Sequence, residues 1–145
     1  MAYDIQLHLP APWTVELDTF EDEGGCLITH AEAHLWNEKA KKDEGIADIY
    51  VGDMPEDETA EDQAFANYAE TVGFDEDDED CPIGKFKFNG KNAWGFAALC
   101  EDDSPMRFIS QEVRKGVLAI IVVAAKNEKA LEEVQSLVER NLRIR

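Results

Sequence analysis

Cys26, His30 and His34 are three side chains of the types that bind zinc, set four residues apart. On a helix they would share one face, and Cys81 could join them in space. On a strand they also point one way. Consecutive members then stand about 13 Å apart at roughly 3.3 Å per residue, too far for one ion. Neither C-x-x-C nor H-E-x-x-H occurs to support the metal reading. A site at Cys26, His30 and His34 therefore depends on this stretch being helical.

Other chemistry finds less support. Asp75–Asp80 is a run of six acids without a glycine or an alternating partner. A calcium loop needs both spaced carboxylates and a glycine turn. Six adjacent carboxylates instead read as a solvated loop with weak affinity for cations. No G-x-S-x-G is present, and Gly84-Lys85 and Gly90-Lys91 lack the surroundings of a phosphate-binding loop. The chain is expected to be no enzyme and to carry no cofactor.

The charge layout is more informative. The net charge is −18, but residues 1–84 hold 24 acids against 3 bases, and residues 85–145 hold 8 acids against 11 bases. Such an acidic surface repels nucleic acid and anionic lipid, and attracts a protein with a basic patch. The expected contact residues are Asp75, Asp77, Asp78 and Asp80, with Trp36 as an aromatic anchor if it is exposed. Otherwise the acids keep the protein soluble, as a monomer or weak homodimer.

The 145 residues suit one domain, 1–145. The longest apolar run, Val117–Ala125, has nine residues, whereas a membrane-spanning helix needs about 20. The opening MAYDIQLHLP lacks a basic leader segment. Three widely spaced cysteines, Cys26, Cys81 and Cys100, do not form a disulfide framework. The expected compartment is the cytoplasm, with all three thiols reduced.

Periodicity gives the elements. Tyr3–Leu9 alternates as a half-buried strand, and Val15, Leu17 and Thr19 mark a second. His30–Lys42 admits a helix or a strand. The extended reading through Trp36 is favoured, because Cys26 and Ile28 already begin it. Ile46–Met54 is a strand. Thr59–Val72 is a helix, with Thr59 and Asp62 spaced as a capping box and Phe65, Tyr68, Ala69 and Val72 as its apolar stripe. Then follow strands at Ile83–Phe88, Ala93–Cys100, Met106–Val113 and Val117–Ala125, with Asn89-Gly90 as a hairpin turn. Val117–Ala125 is apolar throughout and is expected at the centre of its sheet. A helix from Glu128 to Arg140 presents Leu131, Val134, Leu137 and Val138. Both faces of the hairpin around Asn89-Gly90 are largely apolar, so an α+β fold with a helix on each face is expected.

This order resembles the PsbP/Mog-like superfamily. It is carried by an opening strand ending in Leu9-Pro10 before Trp13, a strand and a helix, a four-stranded meander turning after Phe88, and a C-terminal amphipathic helix. The resemblance implies an antiparallel sheet between helices, an α/β/α sandwich. Its members mostly bind other proteins and share no catalytic motif. Three functions follow in order: a protein-binding adaptor or chaperone-like domain with an acidic surface, a small-molecule or metal-binding protein with a hidden pocket, and a polyanion mimic.

Overall fold

A computed structural model describes residues 3–70 and 83–145. The chain begins with β1 (Ile5–Leu7), β2 (Thr14–Glu21), β3 (Leu27–Asn37), β4 (Lys42–Asp53) and helix α1 (Ala60–Tyr68). It continues with β5 (Gly84–Phe88), β6 (Lys91–Leu99), β7 (Pro105–Arg114), β8 (Val117–Ala125), helix α2 (Glu128–Asn141) and β9 (Leu142–Ile144). Seven strands form one antiparallel sheet in the order β2-β3-β4-β8-β7-β6-β5, and β1 pairs with β9 in a separate ribbon. Two meanders, β2–β4 and β5–β8, are thus joined edge to edge where β4 meets β8.

The core explains this arrangement. In β8, Val117, Ala119, Ile121, Val123 and Ala125 are buried on one face. They meet Ala47, Ile49 and Val51 of β4, and Leu131, Val134 and Val138 of α2. Ile5, Leu7 and Leu142 of the ribbon extend the same cluster. Each fully buried aliphatic side chain contributes about 1.5–3 kcal/mol, so this face carries most of the stability. Asn127 caps α2 by accepting from the Ala130 amide at 2.8 Å. The Asn89-Gly90 turn has positive φ at both residues (54° and 82°), which is what a two-residue hairpin with right-twisted strands requires. Phe88 then pairs with Lys91.

The expectation of an α/β/α sandwich with helices on both faces is corrected. Strand dominates the described residues, and the two helices among them have only nine and 14 residues. The α2 face is covered by α2 and the ribbon. On the opposite face, α1 reaches β6 and β7, where Ala64 packs on Phe96 and Phe108. No helix among the described residues lies under β2, β3 and the neighbouring part of β4. The physical reason is in the strands. There, His30, Glu32, His34 and Asp48 alternate with the buried Ala31, Ala33, Ala47 and Ile49. A helix laid on those charged groups would strip their water without partners to replace it.

The stripe of α1 also differs from the expected one. Its buried residues are Ala60 and Ala64, while Phe65 is 37% exposed. The sheet presents two large rings at this point, so small residues of the helix must face them. The end of the expected helix, with Val72, lies outside the described residues. The capping box is present: Thr59 and Asp62 exchange side-chain-to-backbone bonds of 3.2 and 2.9 Å. Neither described helix is long and apolar enough to cross a membrane.

Candidate functional site

The uncovered part of the sheet holds a connected group of titratable side chains. Cross-strand partners share a face, so the register sorts them into rows. Asp18, His30 and Tyr50 lie across β2, β3 and β4 in one row; Glu16, Glu32 and Asp48 form the next, and Thr14, His34 and Ile46 the third. No lysine or arginine occupies these nine positions.

His30 and His34 are each gripped by two carboxylates. His30 Nδ1 lies 3.0 Å from Asp18 Oδ1, and its Nε2 lies 3.0 Å from Asp48 Oδ1. Its ring stacks on Tyr50, with centroids 4.4 Å apart and planes 7° from parallel. His34 Nε2 lies 2.6 Å from Glu32 Oε1, and its Nδ1 lies 3.0 Å from Asp43 Oδ2. The His30 side chain is only 12% exposed, so stacking and two flanking acids hold it in one orientation. A neutral imidazole has a single N–H and can donate to one carboxylate only. The second carboxylate then needs another ring proton or a cation between the two acceptors.

The field on this face is negative, and its titrating groups report it. Burial pulls the His34 ring down. Hydrogen bonds to Glu32 and Asp43, together with their charges, outweigh that and raise it above the ordinary value of 6.5. Burial also raises the Tyr50 phenol above 10.0, assisted by the charges of Asp48, Glu32 and Asp18.

The strand geometry separates the expected metal set of Cys26, His30 and His34. Cys26 is exposed in the β2–β3 turn, where its amide donates to Asp22 Oδ1 at 2.9 Å. Both histidines belong to the network just described. The ligand atoms that do converge belong to His30, Glu32 and Asp48, all within 4.8 Å of one another. Sequence reasoning missed Glu32 and Asp48. Half of the signal was present: in Thr29–His34, His-Ala-Glu-Ala-His alternates strictly and puts His30, Glu32 and His34 on one strand face. Asp48 enters only through the β3–β4 register.

Trp36 follows a register shift between Leu35 and Trp36 and pairs with Asp43, the partner of His34. It is 46% exposed, and its indole donates to Glu38 Oε2 at 2.9 Å. Asp75, Asp77, Asp78 and Asp80 lie outside the described residues, as does Cys81. Cys100 is a half-buried free thiol. It borders an open cleft of about 580 Å³ between the start of β4, the β6–β7 turn and the end of β8. Within that cleft Asp102 accepts from the Ser104 hydroxyl at 2.5 Å, and Lys126 pairs with Glu44 at 3.5 Å.

No family model matches the chain, and no curated protein or solved structure matches it either.

Proposed function

We propose that the protein is a non-enzymatic binding domain of the cytoplasm that docks a basic segment of another protein on the open face of β2, β3 and β4. The observation that carries this reading is the uncovered half-sheet. It presents Glu16, Asp18, Glu32 and Asp48, with Asp43 beside them, and no lysine or arginine stands in its three rows. The exposed Trp36 sits at one corner as the aromatic contact, opposite Asp43. Charge complementarity of this kind accelerates encounter and suppresses acidic partners, nucleic acids and anionic membranes among them.

The edge strand β2 fits a monomer better than a β-paired dimer. It carries Glu16, Asp18 and Glu21 along its length, and charges on an edge strand oppose pairing with a second copy.

The test uses a lysine- and arginine-rich peptide as probe and maps its contacts by amide chemical shifts. Shifts should concentrate on β2–β4 and near Trp36, and association should slow as salt rises, with screening over about 8–10 Å. The combined variant Glu16→Gln, Asp18→Asn, Asp48→Asn should reduce the association rate more than it raises the dissociation rate. Replacing Asp75, Asp77, Asp78 and Asp80 by Asn separates the acidic run from the sheet face. Shifts spread over the whole surface, or a sheet-face variant that binds like the parent, would refute the reading.

A further inference from the structure

We propose that His30, Glu32 and Asp48 form a binding site for a first-row divalent transition-metal ion. The inference goes beyond the docking reading and does not depend on it: it concerns three ligand atoms rather than a surface.

The first support is the distance between donors. With metal–nitrogen and metal–oxygen bonds of about 2.0–2.2 Å, neighbouring ligands of a tetrahedral or octahedral ion stand roughly 3.0–3.5 Å apart. His30 Nε2 and Asp48 Oδ1 already stand 3.0 Å apart. Glu32 completes a set whose members lie within 4.8 Å. Its half-exposed side chain has the reach to close the remaining gap, as its 40% exposure leaves it room to turn.

The second support comes from the groups behind the ligands. A metal-binding histidine usually donates its other ring N–H to a carboxylate, which fixes the tautomer and aims the free nitrogen at the ion. Asp18 takes that place for His30, with Nδ1 at 3.0 Å. Tyr50 stacks on the ring and limits its rotation. Glu32 Oε1 lies 2.6 Å from His34 Nε2, and His34 Nδ1 lies 3.0 Å from Asp43 Oδ2. Asp18, His34 and Asp43 are thus positioning residues for the site.

The third support is the chemistry of the donor set, His30, Glu32 and Asp48. One nitrogen and two carboxylate oxygens suit zinc, cobalt or manganese better than the oxygen-only preference of magnesium or calcium. Three protein ligands leave positions for water or for a donor from a bound partner.

Cobalt(II) is the probe, because its absorption spectrum separates nitrogen and oxygen ligands from thiolates, and the chain has three cysteines. The full chain should bind one ion with d–d bands and no thiolate-to-cobalt charge-transfer band. The His30 Nε2 resonance should be perturbed strongly, as a directly ligated nitrogen requires. Glu32→Gln and Asp48→Asn should each weaken binding at least ten-fold, and Asp18→Asn by about ten-fold as loss of a supporting carboxylate. Melting temperatures without metal check that these variants fold like the parent. Asp75, Asp77, Asp78 and Asp80 replaced together by Asn should leave the affinity unchanged. A thiolate band, binding that survives both Glu32→Gln and Asp48→Asn, or no saturable binding below millimolar cobalt would overturn the proposal.

Discussion

Placing a charge at Ala64 should detach α1 while leaving the sheet folded. Ala64 is fully buried against Phe96 and Phe108, so a carboxylate there has no partner and no water. Burying it would cost several kcal/mol, more than the helix gains by docking. The docking terms are small. The Ala60 and Ala64 methyl groups contribute about 0.8 kcal/mol each. The buried Ser110 hydroxyl donates to the Ala60 carbonyl at 2.7 Å, for about 1 kcal/mol. The edge-on Tyr68–Phe96 contact, with centroids 5.3 Å apart, adds about 0.5–1.5 kcal/mol. Together these four terms hold α1 by about 4 kcal/mol before the entropy of ordering the helix is charged against them. Ala64→Asp should therefore lower Tm by at most about 15 °C, at 2–4 °C per kcal/mol. Hydrogen exchange should show α1 amides losing protection in the variant while β4 and β8 amides keep theirs. If β4 and β8 lose protection to the same extent as α1, the helix is part of the cooperative core and this reasoning fails.

Two further substitutions probe features away from the site. At Gly95 in β6, an added Cβ would lie 2.2 Å from the Phe108 carbonyl oxygen and 3.3 Å from the Phe86 ring. Gly95→Ala should therefore cost about 3 kcal/mol or more, the upper end for overpacking, read as a lower urea midpoint at unchanged m; a loss below 1 kcal/mol would contradict it. The Tyr3 hydroxyl donates to Asp53, and this bond, then burial and the Asp53 charge, raises its pKa above 10.0 against the opposing effect of Arg114. The stabilisation is fully present below pH 10 and is lost as pH rises through the folded-state pKa. Ring NMR of Tyr3 should show ionisation above 10, returning toward 10 in Asp53→Asn; identical titrations in the two proteins would contradict it.

Much of the scaffold was legible because its signals are local. The all-apolar Val117–Ala125, the positive-φ turn at Asn89-Gly90, and the caps at Thr59 and Asn127 each depend on a few adjacent residues. The ambiguity at His30–Lys42 resolves as strand through Asn37, followed by the turn into β4. The helix layers were not legible, because apolar residues on both faces of β5 and β6 say nothing about the distant β2 and β3. The face of α1 was misread for a related reason. Phe65, Tyr68, Ala69 and Val72 make a good stripe in isolation, but the rings of Phe96 and Phe108 choose Ala60 and Ala64. The last β-ribbon escaped notice because three residues, Leu142–Ile144, have too little pattern to mark a strand without their partner Ile5–Leu7. The site was half legible. His30, Glu32 and His34 alternate in plain view, but Asp18 and Asp48 reach His30 only across neighbouring strands.

The two proposed occupants of the open face draw on the same carboxylates, and this makes them antagonists. A divalent ion at His30, Glu32 and Asp48 would engage two of the five acids that attract a basic segment, and its charge would oppose the cationic side chains of the partner. Linkage requires the opposition to be mutual: whatever factor the ion takes from partner affinity, the partner takes from ion affinity. The exception is a partner that places a histidine or carboxylate in an open coordination position, since it would then gain a bond from the ion. The sign of the coupling therefore reports how the partner sits. Antagonism places its basic groups directly over Glu32 and Asp48. Cooperation places a ligand there and leaves the basic groups to the Glu16–Asp18 edge and the Trp36–Asp43 corner.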